Sequence, residues 1–146
     1  MKLVVQRVTS SSVEVDDNIV GEIKEGLMVL VGFGENDSER EADYLANKLT
    51  KLRIFQDENG RMNKSVKDIG GKLLLVPQFT LYASTKKNRP SFHKALNPNQ
   101  ATELFDYFSN KCSEVVGVET GEFGAYMKVE LLNDGPVTIL LEKEFD

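Results

Sequence analysis

The chain has 146 residues, a net charge of −5 and a pI near 5.0, with 40% hydrophobic and 28% charged residues. These values fit one globular domain, residues 1–146, and exclude a disordered or fibrous polypeptide. The acidic balance argues against a broad grip on nucleic acid, since affinity for a duplex comes largely from neutralised phosphates, and a single cysteine excludes an internal disulfide or a thiolate metal cluster.

No apolar stretch approaches membrane-spanning length, and the chain passes straight into Leu3, Val4 and Val5 with no signal-like hydrophobic region. A cytoplasmic protein with no membrane partner is expected. His93 is the only histidine and cannot build a multi-histidine site, and the carboxylates show no metal-ligand spacing, so neither a metal nor a cofactor is expected.

Residues 3–8 and 13–15 read as strands joined by a polar stretch over 9–12, and Asp17 with Asn18 marks a tight turn into a strand over 19–23. Gly26 precedes Leu27, Met28, Val29, Leu30 and Val31, a run with the length and β-branching of a central strand buried on both faces. Ser38 and Glu41 form a capping box, and Ala42, Leu45, Ala46 and Leu49 recur at helical spacing, predicting an amphipathic helix over 38–51. Residues 52–55 then read as a short strand, Glu58 to Gly60 as a turn and 62–68 as a loop.

Residues 73–82 read as one strand, whose period of two turns Gln78 and Thr80 to the same face. Pro77 cannot donate to a ladder and predicts a sheet edge or a bulge, with neighbouring amides freed for a ligand. Asn97 as N-cap and Pro98 behind it open a second helix, with Ala101, Leu104, Phe105, Phe108 and Cys112 along one stripe and Gly117 at its exit. That stripe makes Cys112 a buried small hydrophobe rather than a reactive thiol. Ala125, Met127, Val129 and Leu131 alternate with Tyr126, Lys128 and Glu130 as a one-sided strand, followed by a turn at 133–138 and a last strand over 137–141. Runs of strands with two interposed helices and no continuous βαβ rhythm predict an α+β fold with a mostly antiparallel sheet.

Several chemistries fail on residue types alone. A serine hydrolase would need His93 as its base, and no Gly-x-Ser-x-Gly elbow occurs. A P-loop and a dinucleotide fingerprint are absent, Gly32 to Gly34 read as a turn, and no carboxylate sits in an apolar run that would raise its pKa. Thr80 is either a nucleophile lacking an evident base or a β-branched strand residue. Lys86, Lys87, Arg89, His93 and Lys94 make a basic run, either a solvated loop or one that meets phosphates. The hexapeptide Asn133, Asp134, Gly135, Pro136, Val137, Thr138 is either an ordinary turn or a loop that aims bare carbonyls at a substrate, because proline lacks an N–H and glycine tolerates angles closed to other residues. What remains is catalysis by positioning, with backbone amides stabilising an oxyanion while a substrate hydroxyl or a water attacks.

The run Gln78, Phe79, Thr80, Leu81 and the 133–138 hexapeptide together resemble the two signatures of the D-aminoacyl-tRNA deacylases, a Ser-Gln-x-Thr-Leu strand and an Asn-x-Gly-Pro-Val-Thr turn. The likeness extends to Val5, Gln6, Arg7 and Val8, to residues 52–55 and 62–66, to Arg89, Pro90, Ser91 and Phe92, and to Phe123, Gly124, Ala125 and Met127, so it spans essentially the whole chain. Pro77 departs from the pattern, standing where that family usually carries serine; the side chains of Gln78 and Thr80 and the amides of Phe79 and Thr80 remain.

The resemblance implies a half-barrel with two main helices that hydrolyses the ester joining a D-amino acid to the terminal adenosine of tRNA. Thr80, Gln78 and Phe79 would form the catalytic segment, with the tRNA 2′-hydroxyl assisting in place of an obligatory side-chain base. It also implies a homodimer in which Gly135 and Pro136, joined by a cis peptide bond, enter the pocket of the other subunit, hold the α-amino group and leave no room for an L side chain. Glycine has no side chain to exclude, so glycyl-tRNA, including glycine mischarged on tRNA-Ala, is an expected substrate. Phe79, Phe123 and Met127 would shape the adenosine pocket, the alternative for each being a place in the core, and Arg7 would brace the Gly-Pro loop. Contact with the acceptor end alone reconciles an acidic protein with an RNA partner. Two rival readings are a small-molecule esterase or amidase with Thr80 as nucleophile, and a non-catalytic RNA-binding module.

Overall fold

The computed structural model describes residues 1–146. Its first strand, β1 (Lys2–Val15), is continuous through the polar stretch expected to interrupt it. The ladder survives because β8 (Lys128–Glu142) resumes pairing at Ser10 on one side and β2 (Asn18–Ile23) begins at Ser11 on the other, both antiparallel. Thr9 and Ser10 turn outward, while the buried Ser11 hydroxyl donates to the Glu130 carbonyl at 2.7 Å, so no polar atom is stranded.

The other half of β1 pairs antiparallel with β3 (Gly26–Gly32). From β3 the sheet becomes parallel, through β6 (Lys72–Pro77) to β7 (Gly117–Thr120), in the order β2-β1-β3-β6-β7. Parallel neighbours cannot be joined by a tight turn and need long crossovers. α1 (Glu39–Lys51) lies on the first crossover and α2 (Pro98–Ser113) on the second. Three antiparallel pairings of β1 with β2, β3 and β8 and two parallel ones make a mixed α+β sheet, coiled into a half-barrel.

Both helices begin as their caps dictate. Ser38 and Glu41 form the reciprocal box on α1, with the Ser38 amide donating to Glu41 Oε1 at 3.0 Å. Asn97 Oδ1 accepts from the Gln100 amide at 3.0 Å, and Pro98 occupies the first position of α2. Gly117 does not close α2, which ends at Ser113; it opens β7 instead. A two-stranded ribbon, β4 (Phe55–Gln56) with β5 (Met62–Lys64), replaces the strand expected over 52–55 and the loop expected over 62–68.

β3 and β6 are buried on both faces, as the unbroken apolar runs predict. Leu27, Val29, Val31, Leu73 and Leu75 pack under the helices with Leu45, Leu49, Phe105 and Phe108. Met28, Leu74 and Val76 face the concave side with Val8, Val13 and Ile23. Burying each such side chain contributes about 1.5–3 kcal/mol of transfer free energy. Cys112 lies wholly inside the first cluster, and desolvation pushes its thiol up to about 12, which removes it as a nucleophile.

The half-barrel closes where β2 lies against β6 and β7. At Gly21 of β2 a side-chain carbon would sit 2.7 Å from the Thr120 carbonyl oxygen and 3.1 Å from Leu74, so only glycine permits that approach.

Candidate active site

The strand expected over 73–82 stops at Pro77. Pro77 stands opposite Val31 of β3, whereas the β6–β7 ladder ends at Leu75, so the missing N–H falls beyond the neighbour that would have used it. β6 is a central strand, yet at Pro77 its β7 side is already unpaired, so the proline sits at a local edge of the sheet as expected, and not in a bulge. The Gln78 amide donates a last bond to the Val31 carbonyl at 2.8 Å, and the chain folds into a 3₁₀ turn over Phe79–Tyr82. The period-two rule thus fails at the segment of interest, yet Gln78 and Thr80 still meet, because the Gln78 side-chain amide donates to Thr80 Oγ1. Phe79 and Thr80 open the turn, so their own N–H groups have no acceptor within it.

The turn forms one wall of a cleft of about 790 Å³ at the carboxyl ends of β3, β6 and β7, where open α/β sheets place their ligands. Val31 reaches it from β3 and Phe33 from just beyond, Val76 and Pro77 from β6, Gln78 to Thr80 from the turn, Phe123 to Met127 from the segment after β7, and Asn97, Pro98 and Ala101 from the start of α2. Phe79 is 55% exposed and stacks edge-on against Phe92 with ring centroids 5.0 Å apart, while Phe123 leans against the core residue Phe105. Met127 and Val129 form part of the wall shared with the smaller core.

The lining holds no Asp, Glu, His, Lys, Arg or Cys, and Tyr126 is its only titratable group. His93 is exposed outside it and pairs with Ser91 at 3.2 Å. A carboxamide cannot take a proton from a hydroxyl at neutral pH, so Gln78 positions Thr80 without activating it. No group of three or more His, Cys, Asp and Glu side chains is arranged to hold a metal ion.

Gly135, Pro136 and Arg7 lie elsewhere. The 133–138 segment is not a turn between two strands but an outgrowth of one: Gln6 pairs with Thr138 and Val8 with Asn133, so only Arg7 of β1 faces the four residues between. Asn133 closes the base of this loop, accepting from the Val137 amide at 2.9 Å and donating to Thr138 Oγ1 at 3.0 Å. Arg7, 7% exposed, spans loop and core, with Nη1 on the Ile54 carbonyl at 2.7 Å and Nε on the Asp134 carbonyl at 3.0 Å. The Gly135-Pro136 peptide is cis, and Gly135 has φ of 139°, a value L side chains rarely adopt. Both residues are exposed, and within one chain neither lines the cleft.

Sequence reasoning brought Gln78, Phe79, Thr80, Phe123 and Met127 to one site but missed Phe92, Tyr126 and the start of α2. Tyr126, 87% exposed, looked like the outer face of a strand; the strand begins only at Lys128, so its alternation carries no meaning there.

Residues 4–142 match the family described as D-Tyr-tRNA(Tyr) deacylase. The chain belongs to that family. A relative from Thermosipho melanesiensis named D-aminoacyl-tRNA deacylase is 52% identical, over 99% of this chain and 98% of its own. One of the same name from Limosilactobacillus reuteri is 49% identical, over 98% of this chain and all of its own. Among solved structures, the c-Myc DNA Unwinding Element Binding Protein is 40% identical with a TM-score of 0.94, over 99% of this chain and 100% of its own. A probable eukaryotic D-amino acid tRNA deacylase has a TM-score of 0.83 at 17% identity, over 96% of this chain and 97% of its own, a likeness of fold. The match to the deacylase family runs from β1 to the end of β8 and so takes in both the cleft and the 133–138 loop.

Proposed function

We propose that this deacylase-family chain hydrolyses the ester between a D-amino acid and the terminal adenosine of tRNA. The observation that carries this is a mostly apolar cleft with a Gln78–Thr80 pair, the free amides of a helical turn at its wall and no acid or base of its own. Such a site suits an ester whose neighbouring 2′-hydroxyl supplies the proton chemistry, with the Phe79 and Thr80 amides holding the developing oxyanion. Phe79, Phe123 and Met127 offer flat and polarizable surface to the adenine.

Selection between hands falls to Gly135 and Pro136 supplied by a second copy of the chain. Three features support this reading. The loop projects from β8, whose outer edge has no strand partner; Leu132 and Leu140 on either side of it are 63% and 74% exposed; and buried Arg7 steadies the loop from below. An exposed edge with large apolar side chains is a natural seat for another chain, and a two-fold pair has two composite sites. Carbonyls placed over the α-amino group leave a D side chain free and collide with an L one, while glycine passes.

Deacylation of D-tyrosyl-, L-tyrosyl- and glycyl-tRNA tests this. The D and glycyl esters should be cleaved and the L ester spared by at least ~100-fold, the scale on which a steric clash discriminates. Equal rates on the D and L esters would remove the chirality claim, and stable binding without release of amino acid would favour a non-catalytic RNA-binding role.

A further inference from the structure

From Ile69 to Thr102 the chain carries no carboxylate side chain, although Asp and Glu number 23 in the whole sequence. That same stretch builds β6, the 3₁₀ turn and the start of α2, and so most of the wall of the cleft. Its cations are Lys72, Lys86, Lys87, Arg89 and Lys94. Lys94 faces a separate small cavity lined by Glu35, Asp37, Glu41 and Glu144, which accounts for its charge. Lys86, Lys87 and Arg89 are exposed and take part in none of the ion pairs, which involve Met1, Lys2, Arg7 and Lys64.

These three cations crown a narrow loop. Ser84 and Ser91 pair antiparallel, the Ser84 amide donating to the Ser91 carbonyl at 2.8 Å and the Ser91 amide donating back at 3.0 Å. One leg of the loop follows directly from the Phe79–Tyr82 turn, and the other runs into Phe92, whose ring packs on Phe79 in the cleft. A three-residue leg of extended chain reaches about 10 Å, so the tip stands within a nucleotide or two of the mouth. An isolated cationic loop would ordinarily attract a carboxylate in so acidic a protein; this one is kept free of them along the whole segment that bears the site.

We propose that Lys86, Lys87 and Arg89 form a phosphate-binding rail for the single-stranded 3′ end of the RNA, continuing the cleft outward along the nucleotides that precede the terminal adenosine. The inference rests on the functional reading above and deepens it, because it locates where an acidic protein meets its polyanion. Other exposed cations are interspersed with the 23 carboxylates of an acidic chain, whereas these three stand in the one long segment that has none.

The test is binding of an uncharged RNA hairpin with a four-nucleotide 3′ overhang, compared between the wild type and a Lys86→Ala, Lys87→Ala, Arg89→Ala variant. Three single-strand phosphate contacts contribute a slope of about −2 to log affinity against log salt. The variant should lose that slope and bind roughly 10-fold more weakly at 100 mM salt. The charge-conserving variant Lys86→Arg, Lys87→Arg, Arg89→Lys should recover most of the affinity, which a merely structural loop would not predict. Unchanged affinity and slope in the alanine variant would overturn the proposal. A deacylation assay on D-tyrosyl-tRNA with the wild type reports separately on the functional reading, since it can fail while the rail still binds RNA.

Discussion

Replacing Thr80 with alanine separates two chemistries. If Thr80 only positions the ester, its loss removes one hydroxyl and one bond from Gln78, and single-turnover deacylation should slow by roughly 10-fold, the effect of a single hydrogen bond of about 1–1.5 kcal/mol. A covalent nucleophile would instead lose about 10⁴-fold or more, and that outcome in a stopped assay would restore the threonine-esterase reading. The pocket lining favours the smaller effect, because the Thr80 hydroxyl is hydrogen-bonded to the carboxamide of Gln78 and no base lines the cleft. Cys112 and His93, the other residues with nucleophilic or basic chemistry, are respectively sealed in the core and outside the cleft. At this scale the sequence was legible in one respect: a chain with one histidine and one cysteine predicts a site short of titratable groups, and the cleft is lined that way because both residues lie elsewhere in the fold.

Asn133 controls an element rather than a bond. Its carboxamide ties both ends of the 133–138 outgrowth, so Asn133→Ala frees the Val137 amide and Thr138 hydroxyl together. Chemical denaturation should register a loss of about 1–2 kcal/mol, and the D-over-L preference should fall further than the rate on the D ester. Unaltered preference in a variant with a measurably looser loop would detach chiral selection from this element. The same segment shows where pattern reading fails. Asn, Asp, Gly and Pro announce a turn, and periodicity resumes beyond it, yet a turn reverses the chain whereas here both flanks continue along β1 in one direction. Residues 73–82 failed in the converse way: apolar alternation continued past Pro77, but the ladder partner β7 had already ended, and the backbone was released into a helical turn. Local residue types signal that a ladder is interrupted; which neighbour is present at that point decides how.

For the whole molecule, the proposed pairing with a second copy rests on the unpaired edge of β8. Sedimentation velocity should show a dimer, and Leu132→Lys with Leu140→Lys should give a folded monomer that has lost activity toward D-tyrosyl-tRNA by at least ~100-fold. A monomer of full activity and intact chiral preference would sink the shared site. The sequence by itself determined the buried strands β3 and β6, the two capped helices and the inert cysteine, because burial, helical spacing and capping act over a few consecutive residues. It also brought Gln78 and Thr80 together through proximity in the chain. Only the tertiary structure decided that the parallel ends of β3, β6 and β7 converge on one cleft, that Phe92 and Tyr126 join it, and that Arg7, 127 residues away along the chain, grips the carbonyl of Asp134. Those contacts depend on strand order and on the crossovers through α1 and α2, which no local pattern specifies, since the free energy that selects them comes from packing one sheet on both faces at once.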